Sequence, residues 1–390
     1  MENSSQRPVS SDLSTWLRLI RAFAGSASTG VDALREAGGA QQLFNASASE
    51  LARYGISASV AKAIKDDDRS HQAGDDAWLD LPNCHLVTCM DDRYPPQLND
   101  IADPPLALFC RGNPQLLWLP QVAIVGTRKP TAGGRRHARM FAQTLASQGL
   151  VVTSGLALGV DGEAHQGALD AGGMTIAVAA TGLDRIYPAR HVQLAGEIVY
   201  QGLIVSEFPP GWEPRKRSFP QRNRLISGLS LGVLVIEASV QSGSLITARL
   251  AGEQGRDVYA LPGSIDNPLA RGCHRLIKQG ARLVEDGADL MAEVGPRAQA
   301  VAASRRRVLI APQRERSSKT TPPDHDFRYD KDYKTLYDAV GFDELPVDLL
   351  VDATGLTAAS VSSMLLILEL GGLVQVGPGG GYCRTGEGWQ

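Results

Sequence analysis

From Val122 onward the chain alternates two textures. Short, nearly continuous apolar runs (VAIVG, LVVTSG, MTIAVAA, GLIVSEF, LGVLVIEA, DVYALPG and ARLVED) are separated by helical patterns such as RRHARMFAQTLASQG and SLITARLAGEQG. Each run has the length of one strand, and apolar residues at successive positions mean burial on both faces of the sheet. Parallel strands need long crossover connections, and the intervening helices supply them. Gly149 and Gly255 stand where helix C-caps are required. The alternation therefore predicts a doubly wound, mainly parallel α/β domain over residues 121–295.

The flanks differ in kind. Residues 1–75 alternate short helical patterns with Gly and Ser breaks, and SASELARYGISASVAKAIK reads as two short helices meeting at Gly55. That is the form of a small helical domain or of a helix–hairpin–helix unit, whose turn can touch a phosphate backbone. A connecting extension over 76–120 carries DDRYPPQLNDIADPPLALFCRGN, whose paired prolines suggest extended segments and turns. Residues 296–331 are rich in Arg, Ser, Pro and Ala, the composition of a flexible linker. The last segment, 332–390, reads as helix, helix–turn–helix and β-wing. The expected fold is α/β, a Rossmann-like doubly wound sheet flanked by a helical N-terminal domain and a C-terminal winged-helix-like domain.

In an open parallel sheet, ligands bind outside the carboxyl ends of the strands, and the sequence gathers unusual chemistry there. The chain carries a formal charge of only −3, yet Arg215–Arg224 (RKRSFPQRNR) holds five basic residues and no acidic one. Arg128, in the loop after the first strand, has the planar fork that matches phosphate oxygens. Ser242, Gly243 and Ser244 precede a helix, whose first-turn amides and dipole favour an anion. Lys216, Arg217, Phe219, Arg222 and Arg224 complete a positive groove with an aromatic ring on which a base can stack. Such grooves hold single-stranded nucleic acid without sequence preference.

Other chemistries fit less well. A dinucleotide cofactor needs GxGxxG after the first strand and an acidic residue at the end of the second. Here the loop is GTRKPTAG and the second strand ends in Ser154-Gly155, so no cofactor is expected. Asp161, Glu163 and His165 in GVDGEAH resemble acid–base candidates, but one helical turn separates Asp161 from His165, and a capping Asp and a packing His fit equally. Glu207 and Glu237 end strands without a nucleophile–base pair, so no catalytic residue is assigned. The five cysteines are scattered, with no CxxC pair. That argues against a disulfide framework or zinc site and for a reducing compartment. No window reaches the length of a transmembrane helix, and MENSSQRPVSSD lacks the apolar core of a signal peptide. A cytoplasmic protein is expected.

SGLALGVDGEAH, ATGLDRIYP, FPQRNRLISGLS, SGSLITA and GCHRLIKQGA, in that order across the α/β segment, resemble the DNA-processing protein A (DprA/Smf) family. The resemblance implies a sterile-alpha-motif-like N-terminal domain and, at the C-terminus, the winged helix found in some members. It implies a recombination mediator of natural transformation that binds and protects incoming single-stranded DNA. Its partners would be the RecA recombinase, single-strand-binding protein and a second copy of itself through the Rossmann-like domain. The implied DNA contacts are Arg128, Arg222, Asn223, Arg224 and Ser242, Gly243 and Ser244. Thr127 stands in place of the family's Ser, and His274 in place of its Asn.

The C-terminal segment departs from a DNA reader. From Asp338 to Gly372 there are six acidic residues and no Lys or Arg, whereas groove readers need cations for phosphates. A protein-contact or packing module is expected. The rival readings of the chain are a nucleotide-cleaving enzyme of the phosphoribohydrolase type and a protein-interaction scaffold. The former needs PGGxGTxxE, and SGSLITARL lacks both its two-Gly turn and its Glu.

Overall fold

The structure, a computed structural model, describes residues 10–24, 30–66, 69–310, 331–370, 373–377 and 381–385. Among the described residues, the N-terminal part forms six helices: α1 (Ser10–Phe23), α2 (Gly30–Ala37), α3 (Ala40–Asn45), α4 (Ala48–Arg53), α5 (Ala58–Lys65) and α6 (Gln72–Leu79). Gly55, at φ +74°, makes the turn between α4 and α5. Ser47 and Ser57 cap those helices by accepting from the amides of Glu50 and Val60. Leu19, Leu34, Leu43, Leu51 and Ile64 form the core of this helical unit, and the same cluster continues into Phe109 and Ile204 of the sheet. Arg21 reinforces the junction by pairing with buried Asp75 and donating to Pro210 O at 2.9 Å.

Among the described residues the sheet has nine strands. They are β1 (Cys84–Thr88), β2 (Ala107–Gly112), β3 (Gln121–Val125), β4 (Val151–Ser154), β5 (Thr175–Val178), β6 (Leu203–Ser206), β7 (Gly232–Val235), β8 (Asp257–Ala260) and β9 (Arg282–Leu283). Their spatial order is β1-β2-β6-β5-β4-β3-β7-β8-β9. All pairings from β6 to β9 are parallel, with Val122 opposite Val152 and Ala123 opposite Val233. The crossover helices are α7 (Ala132–Ser147), α8 (Val160–Asp170), α9 (Val192–Gln201), α10 (Ser218–Leu229), α11 (Ser244–Glu253) and α12 (Arg271–Lys278). Every residue of β3 to β7 is buried. One face packs against Leu225 and Ala248; on the other, β3, β4 and β7 meet Phe141, Leu145 and Ala164, while Ala177 of β5 and Ile204 of β6 join the N-terminal helical cluster.

Two boundaries differ from the sequence reading. The extension is not merely extended segments and turns: β1 and β2 form an antiparallel pair, and β2 pairs antiparallel with β6, closing that edge. The linker composition beginning at 296 is helical in its first part, because α13 runs from Gly287 to Ile310 with Pro296 inside it. Its Ala, Arg and Gln residues are good helix formers, Ala298 is buried against the sheet, and Arg297 pairs with Asp257. The rest of that segment, 311–330, lies outside the described residues.

The C-terminal module comprises α14 (Lys331–Ala339), α15 (Val347–Thr354), α16 (Ala358–Leu370) and a hairpin of β10 (Val374–Val376) with β11 (Tyr382–Arg384). Leu336, Leu350, Val361, Leu365 and Leu368 form its own core. It is a winged helix, as its sequence pattern predicts.

Candidate nucleic-acid interface

β3 and β7 are neighbours, but the chain leaves them in opposite directions across the sheet, so the topological switch point lies between their carboxyl ends. A dinucleotide's pyrophosphate would rest there on the amino end of α7. Glu237 holds that place. Its carboxylate accepts from Thr131 N at 2.9 Å and Thr131 Oγ1 at 2.6 Å, while Thr131 Oγ1 accepts from Gly134 N at 3.0 Å. A Cβ on Gly134 would lie 2.5 Å from the carboxylate. The chain's own anion thus satisfies the helix terminus, and a phosphate there would meet like charge.

The open pocket lies one step along the rim, over the ends of β4 and β5. It is a cavity of about 60 Å³, with Arg128, Tyr187 and Phe219 at its mouth and Arg222 and Gly155 at its floor. The Arg128 guanidinium stands 5.5 Å from the Phe219 ring centroid, and the Tyr187 and Phe219 rings are 5.7 Å apart, tilted by 57°. Arg128 and Lys129 are exposed, as are Lys216 and Arg217 at the start of α10. Arg215 stacks on Trp212 at 4.3 Å. Flat aromatic faces flanked by free cations are the two components that single strands require.

The floor explains the SGLALGVDGEAH motif. Arg222 is buried; its Nη1 donates to Gly155 O at 2.5 Å and also to Val178 O. Asp161 faces it, and Oδ2 of Asp161 accepts from the Gly155 and Ala157 amides at 3.1 and 3.3 Å. Burial raises the Asp161 pKa, and Arg222 and those amides oppose the rise. Burial lowers Arg222 to about 10 while Asp161 supports its charge, so Arg222 keeps its proton at neutral pH with Asp161 as its counter-ion. A Cβ on Gly155 would fall 2.7 Å from both Arg222 Nη1 and Asp161 Oδ2. Gly159, at φ +85°, approaches the GTR loop so closely that a Cβ would lie 2.5 Å from Thr127 O.

Of the other two acid–base candidates, Glu163 pairs with Arg139 at 2.5 Å on the helix surface, and His165 is a core residue. Thr175 Oγ1 donates to Val152 O at 2.6 Å and therefore receives the proton of His165 Nδ1, at 2.7 Å. Nε2 is buried without a partner, and burial depresses the pKa to about 3. His274 donates from Nε2 to Gly263 O at 3.0 Å and ties α12 to the loop that follows β8. Cys84, Cys110 and Cys273 are buried, and burial pushes the Cys273 thiol up to about 11.

Arg224 does not share the pocket. Its Nη2 pairs with Glu207 Oε2 at 2.5 Å and its Nε with Asp103 Oδ2 at 3.2 Å, on the side of α10 that faces the N-terminal domain. Its expected place as a ligand-facing cation is corrected: residues two apart on a helix point in different directions, and Arg222 takes the pocket side. Asn223, between them, is half-buried. Ser242, Gly243 and Ser244 form the turn before α11 at the same end of the sheet, with Ser242 Oγ 2.7 Å from Ser244 Oγ, but they do not line this pocket. Tyr187 is the residue that the sequence reading missed. It stands in ATGLDRIYP, where Arg185 makes no basic run such as that of Arg215–Arg224, and only the fold brings it to Phe219.

Comparison with known proteins places this architecture. The family model for DNA recombination-mediator protein A matches residues 85–295, and that for the DprA winged helix domain matches 316–380. Protein Smf of Escherichia coli is 39% identical over 374 residues, 96% of either chain. The DNA processing protein DprA of Streptococcus pneumoniae is 49% identical over 221 residues, 56% of this chain and 78% of that one. An X-ray structure of the pneumococcal protein superposes with a TM-score of 0.65 at 37% identity, covering 72% of this chain and 98% of that chain. A DNA processing protein A structure from Helicobacter pylori, described for its single-stranded DNA binding mode, gives 0.50 at 34% identity over 55% of this chain and 97% of that one. With matches across both the α/β domain and the winged helix, the chain belongs to the DNA-processing protein A (DprA/Smf) family.

Proposed function

We propose that this protein is a non-catalytic, single-stranded-DNA-binding mediator of recombination. In this reading it acts in the cytoplasm as a homodimer, protects incoming DNA during natural transformation, and helps load RecA where single-strand-binding protein competes. The observation that carries the reading is the pocket itself. Arg128 and the Phe219–Tyr187 pair offer a phosphate partner beside base-stacking faces, over a floor built on buried Arg222. Lys216, Arg217 and Lys129 extend the positive rim. The side chains that resemble acid–base catalysts, Asp161 and His165, are engaged in holding the loop and the core. The relatives' descriptions as a recombination mediator and as a single-strand binder support the same reading.

The test is binding of labelled oligo-dT against blunt duplex over a salt series. Affinity for dT should fall by about 0.7 log units per decade of salt for each phosphate neutralised. Duplex should bind distinctly more weakly, since a narrow pocket between Arg128 and Tyr187 cannot admit paired bases. Equal affinity for the two would refute the proposal.

A further inference from the structure

At the opposite end of the strands from the pocket, α7 and α8 end in the same way. Gly149 N donates to Ala146 O and Leu150 N to Leu145 O; Gly172 N donates to Leu169 O and Gly173 N to Ala168 O. These are paired Schellman turns, each with a left-handed glycine, Gly149 at φ +73° and Gly172 at φ +69°. Because α7 and α8 lie side by side, the two turns form a shelf at the amino ends of β4 and β5.

The first turns of α16 rest on that shelf. Ser360 Oγ donates to Gly172 O at 3.2 Å, and Thr357 Oγ1 lies 2.8 Å from Ser360 Oγ. A Cβ on Gly172 would fall 2.5 Å from Thr357 Oγ1 and 3.0 Å from Ser360 Oγ, while one on Gly149 would lie 4.0 Å from Ser362 Cβ. Only a surface without side chains admits so close an approach. The amino end of α16 also meets the carboxyl ends of α7 and α8, so opposite helix-dipole ends face each other. Further along, α16 packs against α7 and α13.

In a helix–turn–helix reader, the amino-terminal residues of the second helix contact base edges. Here Ser360 and Ser362 sit half-buried against the chain's own α/β domain while Thr357 and Ala358 stay exposed, and no Lys or Arg between Asp338 and Gly372 is present to hold phosphates. We infer that the first turns of α16 are a protein-docking surface rather than a DNA-reading one, latched in cis onto the Gly149–Gly172 shelf. The two domains share one chain, so an effective concentration on the order of millimolar keeps even a small interface closed. The latch lies at the far end of the strands from the candidate DNA pocket, so single strands can occupy that pocket without opening it.

Disulfide trapping tests this directly. In full-length protein with Cys89 and Cys383 replaced by Ser, Gly149→Cys and Ser362→Cys would place Cβ atoms about 4.0 Å apart, within the bonding range. Mild oxidation should then join them within one chain, read as a mass lower by two hydrogens and a shifted non-reducing gel band. Adding Ser360→Tyr, which drives a ring into Gly172, should slow closure about tenfold or more. Thiols that react with maleimide but never cross-link would overturn the latch. Should Gly149→Cys fold poorly, Ser360→Tyr alone decides: the radius of gyration by X-ray scattering should rise, and an unchanged value would refute docking. Blunt-duplex binding should stay as weak in Ser360→Tyr as in the parent. A tenfold gain would identify α16 as a masked DNA reader and overturn the inference. Oligo-dT affinity, measured alongside, tests the proposed pocket separately.

Discussion

Replacing Arg224 with Ala separates architecture from ligand binding. The Arg224 and Glu207 side chains are each only 10% exposed, with their nearest N and O atoms 2.5 Å apart. Arg224 also neutralises Asp103, which is 26% exposed. Deleting the guanidinium leaves the Glu207 carboxylate buried without its counter-ion, in a place where burial already raises its pKa. Breaking a buried pair from one side costs roughly 3–5 kcal/mol. At about 2–4 °C per kcal/mol for a domain of this size, the melting temperature should drop by roughly 6–20 °C. Below that transition, oligo-dT affinity should change little, because the side chain points away from the pocket. The double variant Arg224→Met/Glu207→Leu removes both charges, keeps most of the volume and should recover most of the lost stability. The assay is a thermal melt beside a dT titration for parent, single and double variants. An Arg224→Ala protein that melts normally but binds dT tenfold more weakly would refute this reasoning and return Arg224 to the DNA.

Arg128 should behave in the opposite way: exposed at the pocket mouth, Arg128→Ala should cost about 1.5–3 kcal/mol of dT binding with a nearly unchanged melt. Arg128→Lys should restore only part of it, since a point charge lacks the fork; full restoration would show that net charge alone matters. Phe219→Ala and Tyr187→Ala should each lose about 1–3 kcal/mol of binding if both rings stack on bases, and a neutral Tyr187 variant would remove that ring from the site. His165 predicts a pH dependence: its pKa is about 6.5 unfolded and about 3 folded. The unfolded chain therefore binds the proton first, and stability falls as pH drops below about 6.5, by up to about 1.4 kcal/mol per unit. His165→Gln should flatten that slope in urea titrations, and parallel slopes would refute the assignment. Removing residues 311–390 should leave single-strand affinity largely intact, because an acidic module offers phosphates repulsion; loss of most affinity from a still-folded protein would contradict this.

The parallel sheet was legible because its signal is local. Runs such as MTIAVAA and LGVLVIEA carry their two-sided burial in consecutive residues, and Gly149 and Gly255 mark helix ends through a conformation that few other residues adopt. The edge pair β1–β2 was obscured because prolines and acidic residues separate its strands, and what completes β2 is its antiparallel pairing with β6, some ninety residues onward. The helical start of the 296–331 segment was hidden by the Arg, Ser and Pro residues that mark a linker by composition.

For the site, the sequence by itself determined the inventory: a basic stretch beside Phe219, an Arg in the loop after the first strand, and hydroxyls before a helix. It also carried a constraint on direction, since Arg222 and Arg224 are two positions apart on a helix and cannot face one way. Which of them faces the pocket was decided only by the tertiary structure. Glu207 comes from the end of β6 and Asp103 from the extension, and together they draw Arg224 toward the N-terminal domain. The carbonyls of Gly155 and Val178 come from β4 and β5 and hold Arg222 beneath the rim. A buried guanidinium goes where oxygens can compensate for the water it loses, and those oxygens are assembled from distant segments when the sheet closes.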